Sequence, residues 1–304
     1  MDLRHLRYFV AVAEEGSVTR AAARLGIQQP PLSQQIHALE QELGVQLFDR
    51  SHRRLELNAS GRVFLDGATR SLAAVEQAVE QVRRFERGEQ GRIGVGFSSS
   101  ASLHALTPDV LKDYHTSCPL VVMDIEEADN GELVWAVEER RLDAAFVRVT
   151  VQQFPNLRSL NLVNDAMVAA IPYDHPLGRG AAAQLSILDF ADEDLVLYRR
   201  NRPGIFDELM LSFHMAPFEP RVVGEVTRMM AALNLVAAGR GISFVPASMN
   251  KIHAERITYR PIGPGALRPV PLNVVYRADN PSRTLSNFIQ LIGKHADRFA
   301  RGED

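Results

Sequence analysis

The stretch AAARLGIQQPPLSQQIHALEQELG, residues 21–44, contains an alanine-rich helix-forming run, a glycine, and a second helix-forming run that begins behind two consecutive prolines. Proline fits the first turn of a helix and disrupts its interior. Pro30 and Pro31 therefore mark a new helix start, and Gly26 the stop before it. Two short helices are expected to meet at a turn.

Upstream, Leu3, Leu6, Phe9, Val10 and Ala13 recur at helical spacing and end at Gly16, which predicts a first helix. Ser17 is placed to cap a second, VTRAAARL, whose Ala21, Ala22 and Leu25 give a small apolar face. In the third, Leu32, Ile36, Leu39 and Leu43 form one stripe ending at Gly44, while Gln29, Ser33, Gln34 and His37 occupy the remaining face. Those are hydrogen-bonding side chains, not an ordinary Lys/Glu surface. The second and third helices read as a helix-turn-helix that offers the polar N-terminal end of the third to a DNA major groove. Glutamine pairs bidentately with adenine edges, serine is adaptable, and a helix N-terminus favours phosphate oxygens. A three-helix scaffold with a solvated, Gln-rich face is the plainer alternative.

Beyond Gly44, VQLFDRSHRRLELN predicts two short strands, 47–49 and 54–57, around a basic tip holding Arg50, Arg53 and Arg54. A winged helix-turn-helix has this form, with Arg53 or Arg54 along the phosphates or in the adjacent minor groove. Next, Phe64, Ala68, Leu72, Val75, Val79, Val82 and Phe85 recur at three- and four-residue steps. So long an apolar stripe needs a partner, and the same helix of a second subunit would supply it through Leu72, Val75, Val79 and Val82, with an intradomain core helix as the plainer alternative. Gly67 slightly weakens the helix. ERGEQGR, 86–92, reads as a polar hinge.

After the hinge, short β runs alternate with helical segments: RIGVGF, VVMDIEE, DAAFVRV, AMVAAIP, DLVLYRR, PRVVGEV, ISFVP and LNVVYR against HALTPDVLKDYHTS, GELVWAVEERR, IFDELMLSFH, RMMAALNLVAAGR and a terminal helix from Arg283 to about Phe299. That alternation predicts a mostly parallel sheet with any ligand at the carboxyl ends of strands.

A chain of 304 residues has room for two or three domains. Its net charge of −3 argues against indiscriminate polyanion binding, and residues 1–58 carry seven arginines against seven acids, so DNA contact must be local and shaped. One cysteine, Cys118, leaves no intramolecular disulfide and no multi-cysteine zinc site. No apolar run approaches the roughly 18 residues that span a bilayer, and the N-terminus lacks a signal-peptide pattern. A cytoplasmic protein without cofactor, metal or membrane partner is expected.

The run from LRHLRYF to LFDR with the following GRVFL, and later RLDAAFVR, HPL and NLVAAGRGISFVP, together resemble the LysR-type transcriptional regulators over essentially the whole chain. Within the family, RHLRYFVAVAEE and QQPPLSQQI resemble the branch that senses aromatic acids, muconate or small carboxylates. The resemblance implies an all-α winged helix-turn-helix domain (1–58), a dimerising linker helix and hinge (59–90), and an α/β effector domain (91–304) of two Rossmann-like lobes, as in periplasmic binding proteins. Lobe I would take 91–162 and 266–304, and lobe II 163–265. It further implies a homodimer or homotetramer on an interrupted palindrome of double-stranded promoter DNA, activation through RNA polymerase, and a small-molecule effector, a carboxylate, in the interlobe cleft. Carried over by position, DNA-reading residues fall on Thr19, Gln29, Pro30, Pro31, Ser33, Gln34, Arg50, Arg53 and Arg54. Position 34, often arginine in this branch, is glutamine here, with Gln35 or Arg54 able to compensate.

In GFSSSASLH a strand gives way to a helix, so Ser99 and Ser100 are expected to present hydroxyls and backbone N–H groups to a carboxylate. The resemblance adds Asn130, where close relatives use threonine, Arg202, Gly204, Ile205 and Phe206 of RPGIF, and Thr227. Arg148, ending DAAFVR, is a candidate second carboxylate contact, or else closes an ion pair with a neighbouring acid. Arg199, Arg200 and Arg202 form a cationic rim or a solvated one. No complete Gly-x-Gly-x-x-Gly, Gly-x-Ser-x-Gly, His-Glu-x-x-His or Cys-x-x-Cys motif occurs, which argues against an enzyme. The remaining alternative is an architectural DNA binder that needs no effector.

Overall fold

The computed structural model describes residues 1–49, 55–180, 183–198, 209–210, 212–213 and 218–301. The chain divides into two compact units, Met1–Arg84 and Phe85–Asp304.

In the first unit, α1 (Leu3–Glu15) ends at Gly16, whose φ of 57° is in the left-handed region where glycine stops a helix without strain. Ser17 Oγ then accepts from the Arg20 N–H to cap α2 (Val18–Leu25). Gly26 ends α2, and α3 (Gln29–Leu43) opens with both prolines in its first turn. Leu32, Ile36 and Leu39 are buried beside Phe9, Val12, Ala21 and Ala22. Two-residue strands β1 (Phe48–Asp49) and β2 (Glu56–Leu57) pair antiparallel as the root of the wing. That root is tied to α3 by Glu40, a buried carboxylate that accepts from the Leu47 N–H at 2.8 Å.

The long helix α4 (Ala59–Glu86) has 28 residues, about 42 Å at 1.5 Å per residue. Its apolar stripe has two fates. Phe64 stacks edge-on against Phe9 at 5.0 Å, and Ala68 and Leu72 also join the first unit's core. Leu72, expected in a subunit interface, is partly buried against its own domain's core, one turn beyond Ala68 on the same face. Further along, Val79, Val82 and Phe85 are 46%, 63% and 63% exposed.

The second unit has two lobes. The first is built on a five-stranded sheet in the order β4-β3-β5-β12-β6: β3 is Gln90–Phe97, β4 Leu120–Glu127, β5 Ala144–Val147, β6 Leu157–Asp165 and β12 Val270–Arg277. Between β3 and β4 come the one-turn helix α5 (Ser99–Ser102) and α6 (Leu106–Ser117); α7 (Asn130–Glu138) follows β4. At Gly96 an added Cβ would lie 2.4 Å from a Leu133 methyl, so the glycine permits the close seat of α7 on the sheet. The second lobe holds the antiparallel sheet β10-β7-β11 (β7 Met167–Pro172, β10 Ser243–Pro246, β11 Ile257–Pro261). Beside it, β8 (Asp194–Tyr198) and β9 (Arg221–Val226) pair in parallel. The short helix α8 (Pro176–Arg179) and α9 (Met229–Ala237) belong to this lobe, and Phe190, Phe213 and Phe244 centre its core. The terminal helix α10 (Arg283–Ala300) returns to the first lobe, where Phe288 packs on Tyr114 and Phe146.

Three features differ from expectation. The large sheet is mixed: β3 pairs parallel with β4 and β5, but β12 runs antiparallel to β5 and β6. The sequence reading also passed over β6 and β11. The chain leaves the first lobe at Asp165 rather than near Leu162, because β12 pairs with β6 out to Val270–Asp165. Its return falls between Pro261 and Val270. Among the described residues, no helix is long and apolar enough to cross a membrane.

Candidate effector cleft and DNA-reading helix

Gln29, Pro30, Pro31, Ser33, Gln34 and His37 are all exposed on α3, opposite its buried leucines and isoleucine. Thr19, in the first turn of α2, is exposed too. The first helical unit thus buries one face of α3 and presents amides and a hydroxyl on the other. Arg50, Arg53 and Arg54 lie outside the described residues.

In the second unit, the carboxyl ends of β3, β4 and β5 converge on the crossover between lobes. Ser98 follows β3 and donates its N–H to the Phe146 carbonyl at 3.0 Å, which draws Ser98, Ser99 and Ser100 into a buried turn. Ser99 Oγ donates to Glu127 Oε1 at 2.7 Å. From the second lobe, the Arg228 guanidinium reaches the same carboxylate oxygen at 3.1 Å and Ser99 Oγ at 3.3 Å. Thr227, beside it, is exposed.

Asn130 opens α7, which Asp129 caps by accepting from the Glu132 N–H. The Asn130 amide oxygen accepts from the Arg148 backbone N–H at 3.0 Å. The Arg148 side chain has no exposed surface. Its guanidinium donates to Asp165 Oδ2 at 3.0 Å, to Ser248 Oγ at 3.2 Å and to the Ser100 carbonyl at 3.4 Å. Ser248 Oγ in turn donates to Asp165. Burial lowers the Arg148 pKa from its ordinary value, and Asp165 opposes that shift. Of the two roles open to Arg148 in the sequence, the geometry is that of the ion pair. A carboxylate ligand at Arg148 would have to compete with Asp165 in a buried setting.

His104 is buried behind this pair, with Nδ1 accepting from the Leu106 N–H and the ring edge-on to Phe299. Burial first, then the Arg148 charge, holds its pKa below the ordinary 6.5. The native state therefore binds fewer protons here than the unfolded chain once the pH falls below that value, and stability drops on acidification. Unfolding midpoints measured from about pH 8 to 5 should fall through this window, and His104→Asn should remove part of the fall.

Ser99, Ser100, Asn130 and Arg148 are thus brought together, although Ser99, Asn130 and Arg148 are already hydrogen-bonded to protein groups. Arg202, Gly204, Ile205 and Phe206, with Arg199 and Arg200, lie outside the described residues. Sequence reasoning missed Glu127, Asp165, Arg228 and Ser248. Glu127 carried a signal, since it ends a strand at the carboxyl edge where ligands gather. Asp165 and Ser248 carried none, because only the tertiary fold brings them to Arg148.

Residues 3–62 match the model for bacterial regulatory helix-turn-helix proteins of the lysR family, and residues 86–297 the model for the LysR substrate binding domain. The HTH-type transcriptional regulator BenM of Acinetobacter baylyi is 37% identical over 276 residues, covering 90% of each chain. A full-length CbnR solved in complex with its target DNA superposes with a TM-score of 0.82 at 30% identity, over 97% of this chain and all of that one. The BenM effector binding domain solved with its effector benzoate gives 0.60 at 26% identity, over 70% of this chain and 93% of that one. These regulators are not enzymes, and with a helix-turn-helix unit followed by a two-lobed α/β unit, the chain belongs to the LysR family of DNA-binding transcriptional regulators.

Proposed function

We propose that α3 reads a promoter major groove through Gln29, Ser33 and Gln34, with Thr19, Pro30 and Pro31 setting its approach and Arg50, Arg53 and Arg54 of the wing following the phosphates. The carrying observation is the face of α3 that holds Gln29, Ser33, Gln34 and His37 exposed while the opposite stripe is buried. Val75, Val79 and Val82 of α4 pair two subunits, and two such pairs make a tetramer on an interrupted palindrome. Such a regulator works in the cytoplasm and acts on transcription through RNA polymerase. A small carboxylate in the cleft beside Ser99, Ser100 and Asn130 changes the grip on DNA; the benzoate-bound relative supports this class of ligand.

Selection of bound sequences from a randomised pool tests the reading. Gln29→Ala should lose preference at one base position, at a cost of about 1–3 kcal/mol in discrimination, with nonspecific binding unchanged. Arg53→Ala should instead weaken all sequences and flatten the salt dependence. Equal losses on every sequence for both variants would favour an architectural binder.

A further inference from the structure

Two ion pairs lie at the junction of the lobes, and they differ in kind: Arg148–Asp165 lies within the first lobe and reaches the second through Ser248, whereas Arg228–Glu127 spans the two lobes directly. Arg148–Asp165, with Ser248 attached, is 0% and 7% exposed, the setting of a permanent pivot at the crossover. Arg228–Glu127 is 60% and 54% exposed, so water competes for it and it is readily exchanged. Glu127 comes from the end of β4 in one lobe, and Arg228 from the residue before α9 in the other. Between them, the Ser99 hydroxyl touches both partners.

We infer that Arg228, rather than Arg148, is the cation that takes an acid ligand in this cleft, and that Glu127 is the tethered carboxylate such a ligand replaces. The inference rests on the carboxylate reading of the cleft. A carboxylate oxygen at the Glu127 position meets a serine hydroxyl and a guanidinium N–H, the donor pair an organic acid requires. Arg148 is desolvated and committed to Asp165, so adding a second anion there means breaking a buried pair. Replacing Glu127 exchanges one solvated carboxylate for another. Until then the Glu127 carboxylate holds both lobes at the mouth of the cleft, so the empty and liganded states use one set of donors. The ligand must bring its own negative charge and be narrow enough at that end to reach Ser99.

The test titrates full-length protein with sodium benzoate, cis,cis-muconate and acetate by calorimetry, in wild type, Glu127→Gln and Arg228→Gln. Both residues are half exposed, so the variants should fold. Glu127→Gln should bind an acid about two- to fivefold tighter, and Arg228→Gln about tenfold or more weaker. A second measurement needs no ligand: spin labels on Asp109→Cys and Ala238→Cys, both exposed and in different lobes, report the interlobe distance by pulsed electron resonance. Cys118 is buried and its thiol pKa raised by burial, so it stays unlabelled. Each single variant should broaden the distance distribution, and the swap of Glu127→Arg with Arg228→Glu should narrow it again. Acid affinity equal in wild type and Arg228→Gln overturns the inference and leaves the carboxylate reading intact. Silence of every acid on Glu127→Gln, with the distances responding as expected, overturns the carboxylate reading and leaves the latch. Unchanged distances in all variants remove the latch.

Discussion

Asp165→Ala is expected to destabilise the two-lobed unit by about 3–5 kcal/mol, the range for removing one partner of a buried ion pair. The loss would not come from the missing attraction alone. Arg148 would keep its charge in a site with no exposed surface, and Ser248 would lose the acceptor of its hydroxyl. Because Arg148 Nε already has no hydrogen-bond partner among the described residues, the site has little spare capacity to re-satisfy the guanidinium. Replacing both charges, Arg148→Met with Asp165→Leu, should recover most of the stability, as apolar substitutes of similar volume often do. Trp135 is the single tryptophan and sits on α7, so denaturant unfolding followed by its fluorescence reports this unit directly. A loss under about 1 kcal/mol in Asp165→Ala would show that water reaches Arg148 after all.

Val79→Glu combined with Val82→Glu is expected to separate subunits while leaving each chain folded. Both side chains are about half exposed or more on α4, so placing charge there costs the monomer little, and glutamate is a good helix former. In a paired helix, the same four charges would face each other in an apolar seam. Sedimentation should show monomer where wild type shows dimer or tetramer. The affinity for DNA carrying both half-sites should fall about 10²–10⁴-fold, because the second helix-turn-helix would no longer be tethered at high effective concentration. Affinity for a lone half-site should change little. Unchanged mass would mean that α4 is not the seam.

The DNA-reading half was legible in the sequence because its signals are local. Gly16, Ser17, Gly26 and the Pro30–Pro31 pair each fix a helix end within a few residues, and the buried stripes recur at helical spacing. The two-lobed half was legible only in outline. β6 lacks a regular alternation, with two polar residues together at Arg158–Ser159 and two apolar ones at Leu162–Val163, and it is held by β12, more than a hundred residues later. The Arg148–Asp165 pair depends on that topology, because β12 lies between β5 and β6, and Arg228–Glu127 depends on the approach of the two lobes. Serine and asparagine near strand ends could be picked out as ligand candidates, but their partners could not. Ser99 is engaged by Glu127 and Arg228, and Asn130 by the Arg148 backbone. For α4, periodicity showed one continuous stripe, whereas folding divides it: Phe64, Ala68 and Leu72 serve the core, and Val79, Val82 and Phe85 remain exposed.

Thermal unfolding of the purified protein against benzoate, muconate, salicylate, acetate and other small organic acids tests the ligand-responsive reading most directly. A ligand that binds only the folded state raises stability by about 2.7 kcal/mol at a hundredfold excess over its dissociation constant. One acid should give a saturable upward shift that is reduced in Ser99→Ala and that alters binding to the selected DNA. A silent panel, or a shift that leaves DNA binding unchanged, would contradict a regulator governed by an acid in the interlobe cleft.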